Sequence, residues 1–183
     1  MSAQPVVTLR ARTDADLDAL YLIAADVDTW EERNPGRPVL PTREAWQARL
    51  LEREAAPSGN MSFVIDADGE AVGTVGLFGI EEVARHAEVS IALIPSARGR
   101  GIGTEAIAQV LEFGFVRGNL RRVHLEVIAS NAGAIRAYEK AGFVVEGRQR
   151  EHAWVRGHYE DLVRMGLLRR EWQERRAAGS PVG

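Results

Sequence analysis

The segment Ile94-Pro95-Ser96-Ala97-Arg98-Gly99-Arg100-Gly101-Ile102-Gly103-Thr104 gathers the residue types that hold a pyrophosphate. It leaves an apolar run, Val89 to Ile94, crosses a basic glycine-rich loop and enters an amphipathic pattern. Glycines let backbone N–H groups approach a ligand closely, and the start of a helix adds the positive end of its dipole. Arg98 and Arg100 set full charges beside those amides. Glycine also serves tight strand-to-helix turns for steric reasons alone, but two arginines at such a turn need a further use.

Two nucleotide loops do not fit. A Walker A loop needs Gly-Lys-Ser/Thr, and the only lysine of the chain is Lys140. A dinucleotide fingerprint needs a third glycine where Thr104 stands. The spacing Arg98-x-x-Gly101-x-Gly103 after Pro95 resembles instead the acyl-CoA loop of the GNAT superfamily of N-acetyltransferases. Leu125 to Asn131, followed by Ala134 to Phe143, resembles the second half of the CoA site in that family. Glu146-Gly147-Arg148 and Gly157-x-Tyr159-x-Asp161 resemble the branch of ribosomal-protein N-terminal and spermidine acetyltransferases. The resemblance is dense from Ala87 to Met165 and thin before it.

The resemblance implies acetyl-CoA as cosubstrate and a primary amine as acceptor, either a protein N-terminus or a small polyamine- or aminoglycoside-like amine. Gly99, Gly101, Ile102, Gly103 and Thr104 would bind the pyrophosphate through their amides, with Arg98 and Arg100 as charge partners. Ile91, Ala92 and Leu93 match the strand that pairs with the pantetheine amides, and an N–H near Leu93 would hold the thioester oxygen. Asn131 and Ala134 would touch CoA, and Ser130-Asn131 also reads as a helix N-cap.

Tyr138 stands where the family keeps its general acid. A phenol near pKa 10 can protonate a more basic thiolate and recover its proton afterwards. Seven residues, about two helical turns, separate it from Asn131, so both can face one ligand. The other role for such a tyrosine is packing helix to sheet. For the base, Glu126 alternates with inward-facing Leu125 and Val127, and a half-buried carboxylate holds its proton more tightly. Glu88 is the competitor, a surface ion pair is the plain alternative for Glu126, and a water chain can replace either.

These residues must be held by a mixed order of elements. Val6 to Arg12 alternates as a strand, Thr13 caps a helix running to Asp28, and Thr42 to Glu54 forms a second helix. Ser62 to Asp66 and Ala71 to Phe78 flank an Asp68-Gly69 hairpin turn, and Ala87 to Ile94 follows as a strand. A helix over 101–116 turns Ile102, Ile107, Val110, Leu111 and Gly114 inward. Val123 to Ile128, a helix over 131–141 stopped by Gly142, strands over 143–153 and 159–167, and a helix through Trp172 complete the chain. The fold class is α/β (α+β). The resemblance implies a mixed, mostly antiparallel sheet whose two central strands splay, flanked by helices.

Residues 1–176 read as a single domain, with 177–183 and Asn34 to Pro38 as mobile segments. The net charge of −3 and the mixed charge pattern give no sign of a nucleic-acid partner. No apolar run reaches membrane length, no signal-peptide core is visible, and cysteine is absent, so a cytoplasmic protein without disulfides is expected. His86, His124, His152 and His158 do not fall at metal-ligand spacing, and no metal is expected; His152 and His158 could wall the acceptor cleft. Asp26, Asp28, Glu31 and Glu32 around Trp30 form either an acidic rim that attracts a cationic amine or a solvated helix end. A homodimer through the final strands, or through Trp154 and Trp172, is compatible with the sequence. Two other functions stay open: a CoA-binding sensor without catalysis, and a nucleotide-dependent enzyme using the same loop. The retained Tyr138 favours catalysis over the first.

Overall fold

The computed structural model describes residues 5–33, 40–55 and 59–179. The expected mobile loop at Asn34 to Pro38 and residues 180–183 of the tail lie outside that set. The elements in order are β1 (Val7–Arg10), α1 (Leu17–Ala25), α2 (Val27–Arg33), α3 (Arg43–Ala55), β2 (Met61–Ala67), β3 (Glu70–Glu81) and β4 (His86–Leu93). They continue with α4 (Ile102–Glu112), β5 (Arg122–Ile128), α5 (Ala132–Ala141), β6 (Val144–Val155), β7 (His158–Leu168) and α6 (Arg169–Ala177).

Among the described residues seven strands form one sheet, in the order β1-β2-β3-β4-β5-β7-β6. Every pairing is antiparallel except β4 with β5. The parallel pair is short: His86, Ala87 and Glu88 face Arg122, Val123 and His124, and the ladder ends there. Beyond it β4 stays paired to β3 as far as Leu93, and β5 to β7 as far as Ile128. Each strand thus keeps its outer partner and loses its inner one, and the centre of the sheet opens into a V with Glu88 and His124 at its vertex. Strand backbone facing that gap has amides and carbonyls to satisfy, which suits an extended ligand carrying amides of its own.

Side chains alternate across the sheet as the strand period requires. Ala87 and Val89 of β4 bury against Ile102, Ala106, Val110 and Phe115 of the segment after β4. Tyr138 and Ala141 of α5 and Trp172 of α6 join the same core, and Phe115 meets Trp172 at 5.3 Å between ring centroids. Ala92 points the other way, into a smaller core with Leu20 and Ile23 of α1 and Val64 of β2, against which Trp46 of α3 packs. One face of the sheet therefore carries α4, α5 and α6, and the opposite face α1 and α3.

Strand bounds shift by a few residues, as at β1 and β3, and three departures from expectation have a visible local cause. The helix expected to run to Asp28 breaks at Asp26, whose backbone is extended (φ −87°, ψ 115°). Its carboxylate accepts the Thr29 N–H at 2.6 Å, so it starts α2 as a cap, a competition that short polar side chains often win. The helix over 101–116 ends at Glu112 and gives way to a π-helical turn, Phe113–Arg117. Gly114 makes that turn fit, since a Cβ there would lie 2.7 Å from Leu77 Cδ1. Strand β6 runs to Val155 rather than 153, and Arg156 (φ 48°) and Gly157 (φ 82°) turn it into β7, the left-handed pair a two-residue hairpin needs.

Candidate active site

Because β4 and β5 are parallel, α4 and α5 both begin at the end where the V is open. This places two helix N-termini at one cleft, as open α/β sheets place their ligand sites. Gly99 (φ 72°) and Gly101 (φ 82°) adopt left-handed conformations, and Gly101 caps α4. The first bond of that helix runs from the Glu105 N–H to the Gly101 carbonyl at 3.1 Å. The amides of Ile102, Gly103 and Thr104 precede the ladder and remain donors for an anion. Ile102 is buried and anchors the turn.

The two arginines divide their work. Arg100 is exposed. The guanidinium of Arg98 donates to the Leu93 carbonyl from Nε and from Nη2, both at 3.3 Å, and from Nη2 to Thr29 Oγ1. Thr29 is itself buried. In this arrangement Arg98 is a strut between the end of β4 and α2.

Asn131 caps α5, with Oδ1 accepting the Ala134 N–H at 3.1 Å, so the amides of both residues named for CoA contact sit at that helix start. A cap occupies Oδ1 and leaves the NH2 edge of the side chain as a donor. Tyr138 is buried two turns along α5, its ring edge-on to Phe143 at 5.9 Å. Ile91 and Leu93 are half-buried and Ala92 buried, on the arm of β4 that has left β5.

The two carboxylates lie on the same face of neighbouring strands, and both residues are exposed, unlike the half-buried setting expected for Glu126. Glu126 is exposed, and its Oε1 accepts from Arg164 Nε of β7 at 2.6 Å. Glu88 stands at the vertex of the V, where its carboxyl is partly desolvated although the residue is exposed. Burial pushes its carboxyl above the usual carboxylate range, the charge of Glu126 adds to the rise, and Arg164 opposes it. His124, opposite Glu88, is held below the usual imidazole range by burial first, then by Arg122, His86 and Arg164. Its ring meets that of His86 at 5.6 Å.

The acidic rim is engaged from across the molecule. Arg156, at the β6–β7 turn, reaches Asp28 at 3.2 Å and Glu32 at 2.9 Å, and its N–H donates to Glu31 Oε2 at 3.2 Å. Asp26 faces Thr29, whose hydrogen bonds hold its carboxyl below the usual range. His158 lies beside the same turn, with Nε2 3.1 Å from Glu160 Oε1, while His152 is exposed. Thr29, Arg156 and Arg164 carry no signal in the sequence, because none stands in a local motif. Among the described residues no group of three or more His, Asp or Glu side chains could hold a metal ion, and no helix is long and apolar enough to cross a membrane.

Known proteins resemble this chain in sequence and in fold. A spermidine N(1)-acetyltransferase of Escherichia coli (strain K12) is 32% identical over 123 residues, which span 67% of this chain and 66%, just under two thirds, of that protein. The putative ribosomal N-acetyltransferase YdaF of Bacillus subtilis (strain 168) is 32% identical over 106 residues, 58% of each chain. The solved spermidine N-acetyltransferase of Vibrio cholerae in complex with CoA and spermine aligns with a TM-score of 0.83 at 26% identity, over 91% of this chain and 98% of that one. Residues 7–144 match the family model of the acetyltransferase (GNAT) domain, a stretch that takes in the parted strands, the glycine loop and Tyr138. On that match, which covers well over half of its length, the chain belongs to the GNAT family of acetyltransferases.

Proposed function

We propose that this protein moves an acetyl group from acetyl-CoA to a primary amine of a small polyamine, in the cytoplasm, by direct attack within a ternary complex. The observation that carries the reading is the opening of the sheet after Glu88 and His124, with the donor amides of 102–104 at the open end. The spermidine acetyltransferases among its relatives and the acidic residues of α2 support a polyamine as the acceptor.

Bound acetyl-CoA supplies a thioester carbon that the amine nitrogen attacks while the C–S bond breaks. The amines of a polyamine are ammonium ions at neutral pH and must lose a proton first. Glu88, whose carboxyl holds a proton more tightly than an ordinary glutamate, takes it through a water and passes it to solvent. An N–H near Leu93 steadies the carbonyl oxygen as negative charge builds on it. Tyr138 gives its phenolic proton to the departing sulfur and regains one from the nitrogen, which sheds its second proton as the amide forms. The balance is one amide, one thiol and one proton released per turnover.

Titration calorimetry with acetyl-CoA, followed by thiol release with spermidine and with a short peptide bearing a free N-terminus, tests the reading. Micromolar acetyl-CoA binding and release at least tenfold faster with spermidine are expected. Faster release with the peptide replaces the acceptor class. Binding without release from any amine leaves a CoA sensor, and no binding removes the cosubstrate.

A further inference from the structure

We infer that Arg164 is a positioning residue for acetyl transfer, acting on Glu88 by offsetting the charge of Glu126, the carboxylate it binds on the neighbouring strand. The inference rests on the reading of Glu88 as the base. Glu126 and Arg164 are directly opposite each other on β5 and β7, and the 2.6 Å bond from Nε to Oε1 fixes where the Glu126 charge sits. Glu88 lies one strand further, on the same face, where β4 and β5 part. Glu88 is level with His124, so the Glu126–Arg164 pair stands two residues further along the same face, just past the point where the strands part.

The groups facing Glu88 can be named strand by strand. From β3 its partner is the apolar Phe78. From β5 come Glu126 and His124, and burial holds the His124 ring below the usual imidazole range. Arg122, behind His124, is tied to Glu146 in a two-point ion pair, so its charge is largely cancelled. That leaves Glu126 and Arg164 as the charges that tune the base, with opposite signs: Glu126 raises the proton affinity of Glu88 and Arg164 lowers it. Arg164 also lines a cleft of about 340 Å³ with His86, Arg122, His124, Leu125, Glu146 and Met165. Its side chain is 56% exposed, so replacing it opens no core cavity.

The experiment is an NMR titration of the Glu88 carboxyl, assigned with Glu88→Gln, in the wild-type protein and in Arg164→Gln, Glu126→Gln and Arg164→Lys. It is paired with the pH dependence of kcat/KM for spermidine at saturating acetyl-CoA. Arg164→Gln should raise the Glu88 midpoint and the acid limb of the rate profile together, by about half a pH unit given solvent screening of an exposed charge. Glu126→Gln should lower both, and Arg164→Lys should restore most of the wild-type values. A midpoint unmoved in Arg164→Gln overturns the role of Arg164. A midpoint that moves while the acid limb stays in place overturns Glu88 as the base instead. A purely structural Arg164 would lower kcat without shifting either.

Discussion

Two roles meet in the Tyr138 side chain, and one atom separates them. Its ring packs edge-on against Phe143 in the main core, which any aromatic side chain of that size would do. Only the hydroxyl can deliver a proton to a leaving sulfur. Tyr138→Phe keeps the ring and deletes the acid, so stability and acetyl-CoA affinity should stay within about twofold while kcat falls about 100-fold, the usual scale for loss of a positioned acid. Steady-state kinetics at several pH values checks this. An unchanged kcat leaves Tyr138 as a packing residue only. Glu88 and Glu126 make a similar contrast. The sequence marks both as polar positions on alternating strands, but that Glu88 stands at the vertex depends on where the ladder between β4 and β5 ends, and no local pattern encodes that.

At the scale of elements, α2 is tied down at two points. Arg98 links it to the end of β4 through Thr29 and the Leu93 carbonyl, and Arg156 links it to the β6–β7 turn through Asp28, Glu31 and Glu32. It therefore spans from one arm of the opened sheet to the hairpin beyond the other. Arg98→Ala should loosen the first tie, raising the KM for the acceptor roughly fivefold while the Kd for acetyl-CoA changes less than twofold, an estimate from the loss of the charge-assisted bond that reaches α2 at Thr29. Calorimetry for CoA beside kinetics for the amine separates these effects. A weakened CoA Kd with an unchanged acceptor KM would return Arg98 to the phosphate site that its sequence position suggests. What could be read from the sequence was local. Asp68-Gly69, Gly142 and the Arg98-to-Thr104 loop are turn and cap signals spanning a few residues, and they stand where expected. What could not be read was either a competition or a long-range pairing. Asp26 caps a new helix where apolar periodicity suggests continuity, and the Arg156–Asp28 and Arg164–Glu126 contacts join residues 128 and 38 positions apart.

The molecule as a whole divides its labour across the sheet: α4 and α5, with the glycine loop and Tyr138, on one face, and α1 with α3 on the other. The face that carries α1 depends on how that helix is fastened, and the fastening converges on Arg10 of β1. Its guanidinium grips both oxygens of Asp16 at 2.8 Å and reaches Asp66 of β2 at 2.8 Å. Asp16, buried just before α1, also accepts from Thr13 N at 2.7 Å and Thr13 Oγ1 at 3.0 Å. The Arg10 hydrogen bonds, with those from Thr13, hold its carboxyl far below the usual carboxylate range. Asp16→Asn leaves Arg10 half-paired and should cost about 2–3 kcal/mol at pH 7, lowering Tm by about 5–10 °C. A folded-state pKa below the unfolded value of about 3.9 means the carboxylate stabilises the fold fully above that pH, and progressively less as the pH falls toward the folded value. The deficit of Asp16→Asn against wild type should therefore hold constant from pH 7 to 5 and narrow between pH 4 and 3. Urea midpoints of both proteins across that range measure it. A deficit equally large at pH 3 and pH 7 would mean that Asp16 stabilises the start of α1 by shape and hydrogen bonding, with its charge contributing nothing.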